Sequence, residues 1–212
     1  MVFKRVTILA LVTGLVLLAA PLAPAGAVQV PTPQLTITGE PTAAETAEIL
    51  TQWDRLLAAF PTTRTCLTPL TVEVVASAEA AWGGGIQGIA AFYRRSLATI
   101  FIEHGKVRAE HLIHEFAHHL DFSCGFGSGP LGVAFLEVQG FPADHAWATG
   151  AGWRSVPAEH FAEAVVGFLG IDSVDLPITT AAFTTVARFA AYGAAAAIPP
   201  QPNGATLRNT AF

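Results

Sequence analysis

Residues 114–118 read His114-Glu115-Phe116-Ala117-His118, within a longer stretch from Val107 to Phe122. On a helix, two histidines four residues apart project from one face about one turn from each other, so both imidazoles can meet one ion. Leu112, Ile113, Phe116 and Leu120 fall on the other side, as a helix packed on a core requires. Val107 to Phe122 is therefore expected to form one amphipathic helix, with His114 and His118 as metal ligands. Imidazole suits Zn2+, and a catalytic zinc takes three protein ligands and keeps one position for water. Glu115, next to the first ligand, is placed to take a proton from that water.

The third ligand has to come from another segment. Glu159-His160-Phe161-Ala162-Glu163 offers one, because Phe161, Ala164, Val165 and Phe168 give this stretch a helical core face. Glu159 is the candidate ligand. Glu163, one turn later, is the candidate acceptor for a hydrogen bond from a ligand histidine, which orients the ring and raises its basicity. Two carboxylates at this spacing repel each other unless a cation lies nearby. Glu137 and Cys124 are weaker candidates for the third position. Asp121 lies on the metal face, where it buttresses a ligand or a loop, or else ends the helix in solvent. His111 shares the face of His114 and His118. His119 is adjacent to that face and is not expected to bind metal.

Outward from these segments, Ala47, Ile49, Leu50, Trp53, Leu56, Leu57 and Phe60 recur at helical spacing, so Thr42 to Phe60 is expected to be a helix stopped by Pro61. Leu70 to Ala76 reads as a strand, with further strands at Ile86 to Tyr93 and Leu97 to Ile102. Phe126 to Ala151 is rich in glycine and reads as irregular. Ser155 is the expected cap of a helix that runs to about Leu169 and stops at Gly170. A last helix is expected over Thr179 to Tyr192. Strands followed by helices indicate an α+β fold.

The chain starts with Lys4 and Arg5, continues with the apolar run Val6 to Ala20, and reaches the small-residue pattern Ala25-Gly26-Ala27. This is the layout of a secretory signal peptide spanning 1–27, and the run is shorter than a membrane span needs. Cleavage there leaves a protein with no stable membrane span, directed to a secreted, extracellular location. Residues 28–41, rich in Pro and Thr, read as an extended leader, 42–198 as one domain, and 199–212 as a loosely held tail. The formal net charge of −5 becomes more negative when Lys4 and Arg5 leave, and with no basic cluster this excludes nucleic acid as a partner. Cys66 and Cys124, in an oxidising compartment, are expected to pair.

His114 to Asp121, reading HEFAHHLD, together with the later EHFAEAV, resembles the glutamate-zincin (gluzincin) metallopeptidases. The resemblance is to the branch containing anthrax lethal factor and the Pro-Pro endopeptidases, and it covers two short segments. It implies a zincin-like domain with a twisted sheet packed on the active-site helix. His114, His118 and Glu159 would be zinc ligands and Glu115 the general base, with Glu163 and Asp121 supporting the ligands. An edge strand before the helix, assigned to Leu97 to Ile102, would line the cleft, where a peptide or protein substrate adds as a further strand. The implied activity is hydrolysis of peptide bonds by a secreted zinc endopeptidase. The second reading is a secreted zinc-binding domain without catalysis, serving adhesion or partner binding. That branch carries a tyrosine seven residues before the third ligand. The position is Gly152 here, which leaves His145, His160 and Arg154 as candidates for its role.

Overall fold

The structure, a computed structural model, describes residues 33–85, 87–172 and 176–193. The signal peptide over 1–27, the start of the leader, the end of the domain at 194–198 and the tail over 199–212 lie outside the described residues. The architecture is α+β, with one four-stranded mixed sheet and six helices among the described residues.

Strand β1 (Leu35–Gly39) leads through helix α1 (Ala43–Ala59) to β2 (Leu70–Val75), which lies parallel to β1 with Ile37 opposite Val72. Helix α2 (Ala78–Trp82) and strand β3 (Ala91–Arg94) come next, then β4 (Thr99–Glu103). β4 pairs in parallel with β2 and antiparallel with β3, so the order across the sheet is β1-β2-β4-β3. Two expectations are corrected here. Part of the supposed leader is β1, whose Leu35 and Ile37 pack against the core. The strand beginning near Leu97 is interior; the sheet edges are β1 and β3, and β3 is the edge that packs on α3. The run Ile100-Phe101-Ile102 is buried on both faces, as an interior strand requires. Ile100 and Ile102 join the main core, while Phe101 stacks on Phe92 over Ala78 of α2 in a smaller cluster.

Three further helices close the fold after α3 (Ala109–Cys124): α4 (Pro130–Val138), α5 (Pro157–Phe168) and α6 (Thr180–Tyr192). α3 packs on α1, on β3 and on α5. Its residues Leu112, Ile113, Phe116, Ala117 and Leu120 are fully buried. Each large apolar side chain among them contributes about 1.5–3 kcal/mol by leaving water. Trp53 of α1 meets the Phe116 ring edge-on. Gly125 ends α3 in the left-handed conformation at φ +71°, and its N–H donates to Asp121 O at 2.7 Å. Cys124, the last residue of α3, is bonded to Cys66, so the expected disulfide is present.

The segment read as irregular contains α4, which starts at Pro130 and buries Leu131, Phe135 and Leu136. The cap of α5 is Val156, with Pro157 first in the helix; Ser155 lies in a short 3-10 turn, where its hydroxyl donates to Gly152 O at 2.8 Å. Thr179 caps α6 by accepting from Ala182 N–H. Among the described residues no helix is long and apolar enough to cross a membrane. The disulfide fits an oxidising compartment such as the extracellular one.

Candidate metal centre

α3 and α5 lie against each other, and their facing sides bring His114, His118 and Glu159 together. The Nε2 atoms of the two histidines are 3.2 Å apart. One Glu159 oxygen is 3.0 Å from His114 Nε2 and 3.4 Å from His118 Nε2. Donors held at about 2.0–2.1 Å around a tetrahedral ion are separated by about 3.3 Å. This triangle has that size, so the three residues can hold a metal ion. Neither Glu137 nor Cys124 belongs to the group. Glu137 lies on α4, and the sulfur of Cys124 is committed to the disulfide.

The surroundings favour positive charge at this point. Glu163, one turn beyond Glu159, accepts a hydrogen bond from His114 Nδ1 at 2.8 Å, which turns Nε2 towards Glu159. Burial disfavours a charged His114 ring, but the hydrogen bonds it donates to Glu159 and Glu163 and the nearby charge of Glu115 outweigh it and push the ring up to about 10. Glu159 moves the other way. Burial would raise its carboxyl, yet its bonds to both rings hold it well below the usual carboxylate range. The same field that retains a proton here stabilises a divalent cation in its place.

Glu115 is only 7 % exposed and lines the cleft beside the two rings. Burial raises its carboxyl above the ordinary value, against the pull of His114 and His118 and a hydrogen bond from the Tyr93 backbone N–H. The position of that N–H follows from strand register. Glu103 N–H donates to Ala90 O at 2.9 Å and Phe92 faces Phe101, so alternate residues of β3 turn their backbone groups towards β4. Ala91 and Tyr93 turn theirs to the open edge, where Glu115 meets Tyr93.

Asp121 supports the centre through the loop. It is 2 % exposed; Oδ1 accepts from Gly127 N–H at 2.8 Å and Oδ2 accepts from Trp147 Nε1. Trp147 O in turn accepts from Ala158 N–H at 3.0 Å, in the first turn of α5. One carboxylate on α3 thus fixes the residue next to Glu159 on α5. A Cβ on Gly127 would run into the Trp147 ring, which explains a glycine there. Trp147 packs on Phe126, Phe135 and Phe161 and does not face the cleft.

His119 was not expected to bind metal, and it points into the core. Nε2 donates to Thr68 O at 3.0 Å, and Nδ1 faces the Tyr93 hydroxyl at 3.1 Å. Burial lowers the ring to about 4, so it is neutral and its Nδ1 accepts from Tyr93. This link ties the edge strand to α3, and no sequence spacing announced it. The residues offered in place of a tyrosine are engaged elsewhere. His160 is bonded at both nitrogens, to Gln139 and Arg154 O, His145 binds Ser155 O, and Arg154 lies over the Trp153 ring.

A cleft of about 830 Å3 opens over α3 between β3 and α5, lined by the metal group, Glu115 and His111. Comparison with protein-family models, curated proteins and solved structures finds no match to this chain.

Proposed function

We propose that this protein is a secreted zinc-dependent metallopeptidase, and that His114, His118 and Glu159 hold the zinc. The observation that carries the reading is the donor triangle with the buried Glu115 carboxylate beside it. Two imidazoles and one carboxylate suit zinc, and three protein ligands are the number a catalytic site uses. Zinc held there would polarise a carbonyl oxygen and acidify a water molecule.

The chain's own residues supply the remainder. Glu115, with its carboxyl raised by burial, takes a proton from water attacking the scissile carbonyl and passes it to the leaving amine. Tyr93 N–H holds the carboxylate in position. Glu163 fixes the His114 ring, and Asp121 fixes the start of α5. The edge-facing backbone groups of Ala91 and the carbonyl of Tyr93 suit an extended peptide that adds to the sheet edge. The partial resemblance to gluzincins in HEFAHHLD and EHFAEAV supports the same assignment.

A zinc-binding domain without catalysis shares the metal group but has no use for a general base beside it. Purified mature protein incubated with a mixed peptide library, with and without chelator, separates the two. The Glu115→Gln variant is expected to keep its zinc and lose chelator-sensitive hydrolysis. Full activity in that variant rules out the mechanism.

A further inference from the structure

The cleft walls carry a selectivity that the metal group alone does not define. Two half-exposed indoles line it. Trp82 closes α2 and meets the Phe92 ring edge-on, so it stands on the side of β3, while Trp153 sits just before α5. Each is 44 % exposed, a large apolar area to leave in water. Ile89, Phe122, Val156 and Val166 extend the apolar lining between them. Histidines aside, the charge-bearing side chains of the lining are carboxylates, while the guanidiniums of Arg95 and Arg154 lie over the lining rings of Phe122 and Trp153. Glu110, Glu115, Glu159 and Glu163 line the cleft, and among the described residues no lysine or arginine does. Even with a divalent ion bound, the carboxylates leave the cleft negative.

These features rank possible occupants. An acidic side chain next to the scissile bond would be repelled by Glu110 and find no lysine or arginine in the lining. A free C-terminal carboxylate meets the same field, because recognising one takes a cation or a cluster of donors. A large apolar side chain instead covers exposed indole and loses little entropy against a rigid ring. The peptide backbone has edge-facing partners at Ala91 and at the Tyr93 carbonyl, so an internal segment can run through without using its ends.

Resting on the peptidase reading above, we infer that the cleft selects internal peptide segments with large apolar residues next to the scissile bond and rejects acidic residues and free C-termini there.

The test uses the zinc-loaded Glu115→Gln protein, so that peptides are bound without being consumed, and isothermal titration calorimetry. Two capped hexapeptides with alanine flanks carry Phe-Leu or Asp-Glu at the centre, and a third peptide is the first one shortened to end in a free C-terminal carboxylate directly after Leu. The capped Phe-Leu peptide is expected to bind at least tenfold tighter than either of the others. Trp153→Ala and Trp82→Ala, the latter also uncovering one side of Phe92 and therefore checked for an unchanged melting temperature, are expected to weaken that peptide three- to tenfold. Equal or tighter binding of the acidic or free-ended peptide overturns the inference, as does unchanged Phe-Leu binding in both tryptophan variants. Wild-type protein is run in parallel for hydrolysis of the same peptides. Apolar selectivity in binding without chelator-sensitive hydrolysis upholds the inference and defeats the peptidase reading. Hydrolysis with acidic preference does the reverse.

Discussion

Replacing Cys66 and Cys124 by alanine should cost more than any single change at the surface. The bond joins residues 58 apart in sequence, and the closed loop contains β2, α2, β3, β4 and nearly all of α3. Loop-closure entropy for a ring of this length amounts to about 4 kcal/mol at room temperature. The thiol side chains are small and Cys124 is buried, so truncation adds little cavity cost beside that figure. Against a typical total of about 5–15 kcal/mol, the loss leaves a marginal domain. Urea unfolding followed by the fluorescence of buried Trp53 measures it, in chelator so that metal binding does not contribute. The double variant should unfold at clearly lower urea, and its m-value should rise because the unfolded chain is less compact. A loss below about 1 kcal/mol with unchanged m would refute the view that the bond acts by restricting the unfolded chain.

Glu163→Gln keeps the shape but weakens the acceptor on His114 Nδ1, and zinc affinity by competition titration should fall about 10–100-fold; unchanged affinity would remove Glu163 from the site. Asp121→Ala leaves Gly127 N–H and Trp147 Nε1 without their acceptor. Each orphaned donor costs about 1–3 kcal/mol, so the melting temperature should drop and zinc affinity should weaken as the start of α5 loosens. Glu45 accepts from Thr42 N–H and Gly105 N–H, and those bonds lower its carboxyl from 4.5 to about 2. A lowered carboxyl adds stability that is complete above pH 4.5 and is lost as pH falls towards 2. Glu45→Gln should therefore be less stable than wild type by about 1 kcal/mol at neutral pH. The difference in melting temperature should close on acidification, and a gap that widened instead would reverse the sign.

Much of this arrangement was legible from local patterns. α1, α3, α5 and α6 each carry an apolar face at helical spacing, and Pro61 and Gly170 mark where α1 and α5 stop. The donor pair His114 and His118 follows from spacing alone. Glu159 followed from a second helical pattern, although nothing local states that α5 lies on α3. What was missed depends on neighbours. β1 has few buried residues of its own and becomes a strand by pairing with β2. α4 is surrounded by Gly125, Gly127, Gly129 and Gly140, which hid nine helical residues within a loop-like composition. The edge strand was misplaced because three apolar residues in a row, Ile100-Phe101-Ile102, signal burial on both faces, a point that the sequence contained but the family expectation overrode. The couplings of His119 to Tyr93 and of Asp121 to Trp147 join residues distant in sequence and have no local signature.

Diffraction from crystals of the zinc-loaded protein, recorded on both sides of the zinc absorption edge, tests the metal centre most directly. The account predicts one anomalous peak about 2.0–2.1 Å from His114 Nε2 and His118 Nε2, and about 2.0–2.2 Å from a Glu159 oxygen. A peak elsewhere, or Glu159 turned away from a metal bound by the two histidines, would contradict it.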